Sequence, residues 1–449
     1  MIRIIRTELR RSTALSLFAL LTIAAAVLLL LNIGLWRDQW LKLGSTHSSS
    51  LFLLLPLALA GGAMLGRRDK RTGVEELIAG AARPRVQRIL PAAAALAIAV
   101  TVSYLLVYAA AATLVGVTGS YRSIAALPEQ AAAVLVLIGG AWLGLAAGRA
   151  WSSLLLPPAL AVLALGAQLV ASEAGPMGQP PPLANLSMLP QPPGADWETV
   201  TNQALLGQVV FGAGLVVAGF LLIAYASWLL RAAAVATLAG AMVLTVALPG
   251  NTQRERYRVD AGAQALVCAD GAPQICVTAV HAHVLPAVVP EIRRALGLLA
   301  KLPGAPQRVE EWRTATVWEP GLDDHEQPVV PVAPGTLRVD LDLENSQQVS
   351  PYLVQNIVNG AGTTWSGCFP EDDVARAAAG AWLMDADDLT LGTGWYDQGP
   401  EFHDQVKDAV RRLRSLPPAE QTRRVTALRD AGATCQPELL PILIDGAQP

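Results

Sequence analysis

The sequence predicts an all-α polytopic membrane domain of about seven transmembrane helices, residues 1–250, followed by a soluble α+β domain, residues 251–449. Three observations predict this division. Hydrophobic residues make up 53% of the chain and charged residues only 15%, an apolar excess over ordinary globular domains. The first part carries 16 Lys and Arg against 9 Asp and Glu, whereas the second carries 17 against 27. All four cysteines lie in the second part.

Seven apolar stretches in the first part are long enough to cross a bilayer, which takes roughly 20 residues over about 30 Å of hydrocarbon. Away from their edges they contain no Asp, Glu, Lys or Arg. They are residues 12–36, 49–66, 89–117, 130–148, 151–171, 204–230 and 232–249. The first resembles the start of a signal peptide, but its apolar run is too long, so we expect a retained helix. Only Arg231 separates the last two, which leaves six and seven spans both open.

The basic residues predict the orientation, because cytoplasmic loops are enriched in Lys and Arg. With the N-terminus inside, seven spans leave Arg37, Lys42 and Arg122 outside and thirteen basic residues inside. The inside set is Arg3, Arg6, Arg10, Arg11, Arg67, Arg68, Lys70, Arg71, Arg83, Arg85, Arg88, Arg149 and Arg231. Only four of the 33 basic residues are Lys, which favours a GC-rich bacterial genome. We therefore expect a multi-pass protein of a bacterial cytoplasmic membrane, embedded in the lipid bilayer, with its C-terminal domain outside the cytoplasm.

The cysteines favour disulfide bonds, since an even number confined to one domain is typical of an oxidising compartment. Three pairings of four cysteines are possible, and we favour Cys268 with Cys276, because these two flank a turn between two short apolar stretches. Cys368 then pairs with Cys435. Four buried thiols are the alternative. A zinc site is disfavoured because the sequence has no closely spaced CxxC pair.

The loop between the second and third spans, residues 67–88, is short, charged and amphipathic. Thr72 is a candidate N-cap, and Glu75 three residues later completes a capping box. One apolar face is formed by Val74, Leu77 and Ile78. Gly80 and Pro84 end the segment. The pattern predicts a short surface helix that is suited to docking on another protein.

This loop resembles the first cytoplasmic loop of the membrane subunits of type-2 ABC exporters, in which a short coupling helix sits in a groove of the ATPase subunit. The residues that carry the resemblance are Arg71, Gly73, Glu76, Leu77, Arg83, Pro84 and Arg85. On this basis the coupling helix and its flank comprise Gly73, Val74, Glu75, Glu76, Leu77, Ile78, Arg83, Pro84 and Arg85. The resemblance covers about residues 1–230. A seventh span and a 200-residue tail depart from the usual six-span permease.

The resemblance implies the membrane-spanning subunit of an ATP-driven, ABC-type export system, with a separate ABC ATPase subunit as its partner. The chain contains no GxxxxGK[ST] phosphate loop of its own. We expect no enzymatic activity and no cofactor. The acidic second part, without a basic stripe, argues against a nucleic-acid partner. The alternative is a non-transporting membrane anchor for an extracytoplasmic domain that binds a ligand or a partner.

Gly140, Gly144 and Gly148 in the fourth span form two overlapping small-xxx-small repeats, which let a neighbouring helix approach closely. The neighbour could belong to a homodimer partner or to the same chain. We favour packing within the subunit, because Gly and Ala are frequent throughout these spans.

The second part predicts mixed secondary structure, with a strand pair around the first two cysteines. Further apolar patterns predict a strand at 336–343 and helices near 287–301, 351–358, 374–383, 401–415 and 418–431.

The second part offers little candidate chemistry. His281 and His283 could share one side of a strand, but the sequence has no HExxH motif. Asp385, Asp387 and Asp388 resemble part of a calcium loop that lacks its spaced glycine and terminal glutamate. We therefore predict neither a catalytic centre nor a metal site.

Overall fold

The structure is a computed structural model, and the chain divides in it into two compact units. Unit 1 comprises Met1–Asp260 and Val317–Gly321, and unit 2 comprises Ala261–Thr316 and Leu322–Pro449. The structure describes residues 13–71, 84–173, 186, 193–225, 227–248, 253–319, 327–341, 343–344, 348–363, 372–389 and 399–447.

Unit 1 is built mainly from long apolar helices. They are α1 Thr13–Leu31, α2 Trp40–Ser49, α3 Leu51–Arg71, α4 Arg85–Thr118, α5 Leu127–Ala150, α6 Leu156–Glu173, α7 Asn202–Ala224 and α8 Trp228–Ala247. Six helices among the described residues are long and apolar enough to cross a membrane, namely α1, α3, α4, α5, α7 and α8. The apolar part of α6, Leu156–Ser172, is shorter. The six helices fit a multi-pass membrane protein.

The block 204–249, where sequence alone shows only one break, contains two helices. The side chain of Thr201 accepts a hydrogen bond from the backbone N–H of Ala204 and caps the start of α7. The second helix, α8, begins before Arg231, which lies in its first turn. The Thr245 hydroxyl donates to the carbonyl of Gly207 at 3.1 Å, so the end of α8 lies beside the start of α7. The two helices therefore form an antiparallel hairpin.

Apolar side chains cover both the inside and the outside of unit 1. Leu54, Leu96 and Leu137 are almost fully buried between the helices, whereas Leu31 and Val243 keep 77% and 67% of their surface exposed. Helices that are apolar all round are typical of membrane spans, where the outer face contacts lipid. A short antiparallel sheet of β1 Glu198–Val200 and β2 Tyr257–Val259 completes unit 1.

Unit 2 contains a four-stranded sheet with β3 at one edge. Its strands are β3 Leu266–Cys268, β4 Gln274–Thr278, β5 Arg308–Glu311 and β6 Thr336–Val339. β3 is antiparallel to β4, and the other neighbours are parallel. Helix α9 Leu285–Leu299 connects β4 to β5, as a parallel pair requires a crossover. The remaining elements are β7 Leu343–Glu344, β8 Gln348–Val349, α10 Leu353–Val358, α11 Asp373–Leu383, α12 Pro400–Arg414, α13 Pro418–Ala433 and α14 Leu440–Ile444.

The second strand of the expected pair around the first two cysteines ends at Thr278, and a 3₁₀ helix, Ala279–Val284, follows it. The prediction that His281 and His283 share one side of a strand was therefore wrong. At the last residue of β4, the Thr278 backbone N–H donates to a carboxylate oxygen of Glu311 at 2.6 Å, and the 3₁₀ helix begins at the next residue.

Candidate functional sites

The predicted coupling loop joins the end of α3 to the start of α4. α3 ends at Arg71, and α4 begins at Arg85 with Pro84 in extended conformation at its N-cap position. Residues 72–83 lie outside the described residues, and with them Gly73–Ile78 and Arg83 of the predicted coupling segment. The structure therefore describes the two helices that carry the loop. We call the end of unit 1 where they meet it the loop end.

A seam of small residues joins α3 to α5. The helices run parallel, and a Cβ atom at Gly144 or Gly148 would overlap the carbonyl oxygen of Leu59 or Ala63, respectively. The contact is reciprocal, because a Cβ at Gly62 or Gly66 of α3 would overlap carbonyl oxygens of α5. A Cβ at Gly140 would meet the Leu55 side chain. The predicted packing glycines thus face a helix of the same chain, and the two backbones touch along several turns.

Basic residues cluster at the loop end. Arg67 and Arg68 lie in the last turns of α3, Arg88 in the first turn of α4 and Arg149 in the last turn of α5. Arg67 also donates from Nη1 to the carbonyl of Ser153 at 3.4 Å. Cations near the C-termini of α3 and α5 are favourable because the helix dipole is negative there.

A buried polar cluster lies at the opposite end of unit 1, which we call the far end. His47 on α2 is fully buried, and its ring stacks on Tyr104 of α4 at a centroid distance of 4.1 Å. The Tyr104 hydroxyl donates to Oε1 of Gln130 on α5 at 2.9 Å. The Gln130 amide in turn donates to the carbonyl of Gly44 at 3.1 Å. Tyr104 is 19 residues beyond the start of α4, or about 28 Å along the helix.

The polar cluster links three helices and has one unsatisfied atom. The Ser48 hydroxyl donates to the carboxylate of Glu129 in the first turn of α5. Among the described residues, Nδ1 of His47 has no hydrogen-bond partner. His47 lies on α2, outside the six candidate spans, and burial lowers its pKa to about 4. Sequence reasoning missed this cluster, although Glu129 stands just before an apolar stretch that is otherwise free of charge.

A clasp of two short strands closes the far end of the α7–α8 hairpin. β1 precedes α7, and β2 follows α8, so their pairing joins the two flanks. The clasp is extended on both sides, because the Thr201 N–H donates to the Arg256 carbonyl at 2.9 Å and the Asp260 N–H donates to the Trp197 carbonyl at 2.8 Å. The Tyr121 hydroxyl, in the loop between α4 and α5, donates to the Asp260 carboxylate at 3.0 Å.

Two carboxylates hold the segment around β1 in place at the far end. Lys42 and Gln39 both contact the carboxylate of Asp196, each at 2.7 Å. Glu198 keeps only 2% of its surface exposed and accepts backbone N–H bonds from Trp318 at 2.7 Å and Gly194 at 3.1 Å. Burial raises the pKa of the Glu198 carboxyl above its ordinary value, although the N–H bonds oppose this effect.

The disulfide expected in the second part is present in unit 2. Cys268 and Cys276 are bonded, and they are direct partners across the β3–β4 pair. Cys435 is also disulfide-bonded, and Cys368, its predicted partner, lies outside the described residues.

The candidate catalytic and metal-binding side chains of unit 2 are engaged in structural pairs. His281 bonds through Nδ1 to the Glu311 carboxylate at 2.5 Å, and both side chains are buried. Each of the three aspartates of the possible calcium loop contacts a basic side chain. The pairs are Asp385–Lys301 at 2.8 Å, Asp387–Arg414 at 2.6 Å and Asp388–His403 at 2.9 Å. The described part of the chain contains no group of three His, Cys, Asp or Glu residues that could hold a metal ion.

Comparison with known proteins adds no relative. No family model, no curated protein and no solved structure matches the chain. The fold fits a multi-pass helical membrane protein with a second, sheet-containing unit that carries a disulfide.

Proposed function

We propose that the chain is the membrane-spanning subunit of an ATP-driven, ABC-type export system, and that it couples to a separate ATPase through the loop 67–88. The observation that carries this proposal is the packing of the two helices that flank the loop. One of its helices, α3, is fixed to α5 by backbone contact at Gly144 and Gly148, and the other, α4, runs from the loop to the buried cluster around Tyr104.

This packing supports a mechanism in which movement of the loop is passed along α4 to the far end. α4 has 34 residues, which corresponds to about 51 Å of continuous helix. Because α3 and α5 are in backbone contact, a force on the loop displaces α4 against the pair rather than separating the pair. The displacement reaches the contacts of Tyr104 with His47 and Gln130. Breaking and reforming these contacts would open and close the far end.

The contacts of unit 1 also support seven crossings rather than six. α5 ends at the loop end with Arg149, whereas the segment before α7 lies at the far end, where Asp196 binds Lys42. The chain between Arg149 and Asp196 must therefore return from one end to the other. Helix α6 is the described element in that interval.

The path of α6 follows α3 over most of its length. Arg67 of α3 bonds to Ser153, just before α6, and Gln168 near the end of α6 donates to the Phe52 carbonyl at 3.1 Å. Fifteen residues separate each pair along its own segment, about 22 Å of helix. We infer that α6 is the seventh crossing, with a shorter apolar length than the others.

The proposed orientation has the loop end in the cytoplasm, since described basic residues gather there. Seven crossings then place unit 2 outside as a soluble α+β domain. A disulfide between Cys268 and Cys276 supports this assignment, because oxidising compartments are where such bonds persist.

Coupling is tested by purifying the tagged full chain from its native membranes and identifying bound ATPase subunits by mass spectrometry. Leu77→Arg and Glu76→Ala should each reduce the recovered ATPase by about tenfold. Ile124→Arg is the matched control, because Ile124 is 79% exposed in a loop at the far end, and it should leave recovery unchanged. An ATPase retained by Leu77→Arg, or absent from the wild-type preparation, would favour the membrane-anchor alternative.

Topology is tested with single added cysteines and a membrane-impermeant maleimide on intact cells. Ser152→Cys, before α6, should be protected, and Ser187→Cys, after α6, should be labelled. Protection of both positions would mean that α6 does not cross, which leaves six spans and places unit 2 in the cytoplasm. Labelling of both would also mean that α6 does not cross, with the proposed orientation reversed.

A further inference from the structure

Unit 2 contains an open groove of about 690 Å³ beside α12 and α14. Part of its lining is apolar, from Val374 on α11, Ala409 on α12, and Leu440 and Ile444 on α14. A volume of this size is typical of sites that hold a small molecule or a few residues of a peptide.

Carboxylates line the groove along one face of α12. Glu401, Asp404 and Asp408 are spaced three and four residues apart, so they lie on the same side of the helix. Asp408 forms an ion pair with Arg412, with its carboxylate 2.7 Å from Nε. Arg412 is the one basic residue in the described lining. The Asp404 side chain is 81% exposed, and its ion pair with the Lys407 amine is long at 3.9 Å, so its charge is largely available to a ligand.

The helix dipole explains only part of this arrangement. Glu401 lies in the first turn of α12, where an acidic residue stabilises any helix. Asp404 and Asp408, one and two turns later, are not accounted for in that way. The second part of the chain carries 17 basic against 27 acidic residues, which adds a long-range attraction for cations.

We propose that this groove binds a cationic amphipathic peptide segment. Its apolar side chains would contact Leu440, Ile444 and Val374, and its Lys or Arg side chains would pair with Glu401 and Asp404. The inference does not depend on the ATPase, because the groove belongs to unit 2 alone.

Binding is tested with the full chain in lipid nanodiscs and a fluorescent 12-residue peptide of Leu and Lys in amphipathic order. The double variant Glu401→Gln with Asp404→Asn should weaken binding by about fivefold at low salt, as expected for two exposed ion pairs, and the difference should shrink at 0.5 M salt. The control double variant, Glu291→Gln with Asp430→Asn, removes two exposed charges elsewhere on unit 2 and should change Kd by less than about twofold.

The apolar part of the groove has its own variant. Leu440→Lys puts a cation among the apolar lining and should weaken the same peptide by about tenfold or more. An unchanged melting temperature shows that the variant is folded, and Leu440→Met, which keeps the apolar character, should restore binding.

Several results would overturn the proposal. These are equal effects of the two double variants, equal binding of a Leu and Glu peptide, or displacement of the peptide by spermine at equal concentration, which would indicate a polyamine site. A dimer that Leu440→Lys dissociates, without peptide binding, would mean that a second copy fills the groove. No ATPase or nucleotide is present in the assay, so its failure leaves the coupling proposal untouched.

Discussion

Replacing Gly144 by Ala should destabilise unit 1 by forcing α3 and α5 apart. The added Cβ would overlap the Leu59 carbonyl oxygen and lie 2.8 Å from the carbonyl carbon and 3.1 Å from the Ala63 nitrogen. Carbon atoms in contact are normally about 3.5–4.0 Å apart, so the helices must separate by roughly 1 Å. These atoms are backbone and cannot rotate away. Overpacking of this kind costs about 1–3 kcal/mol.

The chain offers controls for this prediction. Gly166 on α6 and Gly240 on α8 have nothing within 4 Å of an added Cβ. Their replacement by Ala should leave the free energy of unfolding unchanged or raise it by up to about 1 kcal/mol, because Ala has the higher helix propensity. Unfolding in mixed micelles of increasing SDS content measures all three variants. If Gly144→Ala is as stable as the Gly166 and Gly240 variants, the two backbones are not in contact and the transmission through α3 and α5 fails.

Three further changes test unit 1 and unit 2 separately. Loss of the disulfide in a Cys268→Ser/Cys276→Ser variant should cost about 2–3 kcal/mol, because the bridge closes a short loop with a separation of 8 residues; thermal melting checks this. Burial lowers the pKa of His47 from 6.5 to about 4. Between these two pH values the unfolded state therefore binds a proton at His47 and the folded state does not. Stability should be complete above pH 6.5 and fall by about 3 kcal/mol as the pH decreases from 6.5 to 4, and His47→Gln should flatten this slope. Glu311→Gln replaces a buried carboxylate that accepts from the Thr278 N–H and contacts Nδ1 of His281, and it should destabilise unit 2 by about 1–3 kcal/mol, whereas Glu291→Gln, at a surface position, should change stability by less than about 0.5 kcal/mol.

Sequence periodicity predicted the long apolar helices well, because each needs only a run of apolar residues with no partner elsewhere. The same holds for α12, whose predicted range 401–415 differs by one residue from Pro400–Arg414. Cys268 and Cys276 were also predictable, since both belong to one local hairpin.

The structure adds what depends on distant residues. β1 and β2 are each three residues long, and the whole α7–α8 hairpin separates them in the sequence. No local sequence pattern therefore predicts their pairing. The buried cluster unites His47, Tyr104 and Gln130 from three helices, and each is an unremarkable polar residue in its own segment. His281 and His283 do not share a strand, because a 3₁₀ helix begins at Ala279, directly after the residue whose N–H donates to a carboxylate from β5.

The clasp at the far end bears on how the protein is made. β1 leaves the ribosome before the α7–α8 hairpin, but its partner strand appears only after α8. The Glu198 carboxylate also accepts a hydrogen bond from the backbone N–H of Trp318. This donor is synthesised only after β3, β4, α9 and β5 of unit 2. The contacts of unit 1 therefore cannot all form before much of unit 2 has been synthesised. A chain truncated near residue 250 would contain α7 and α8 without the strand pair that joins their far ends.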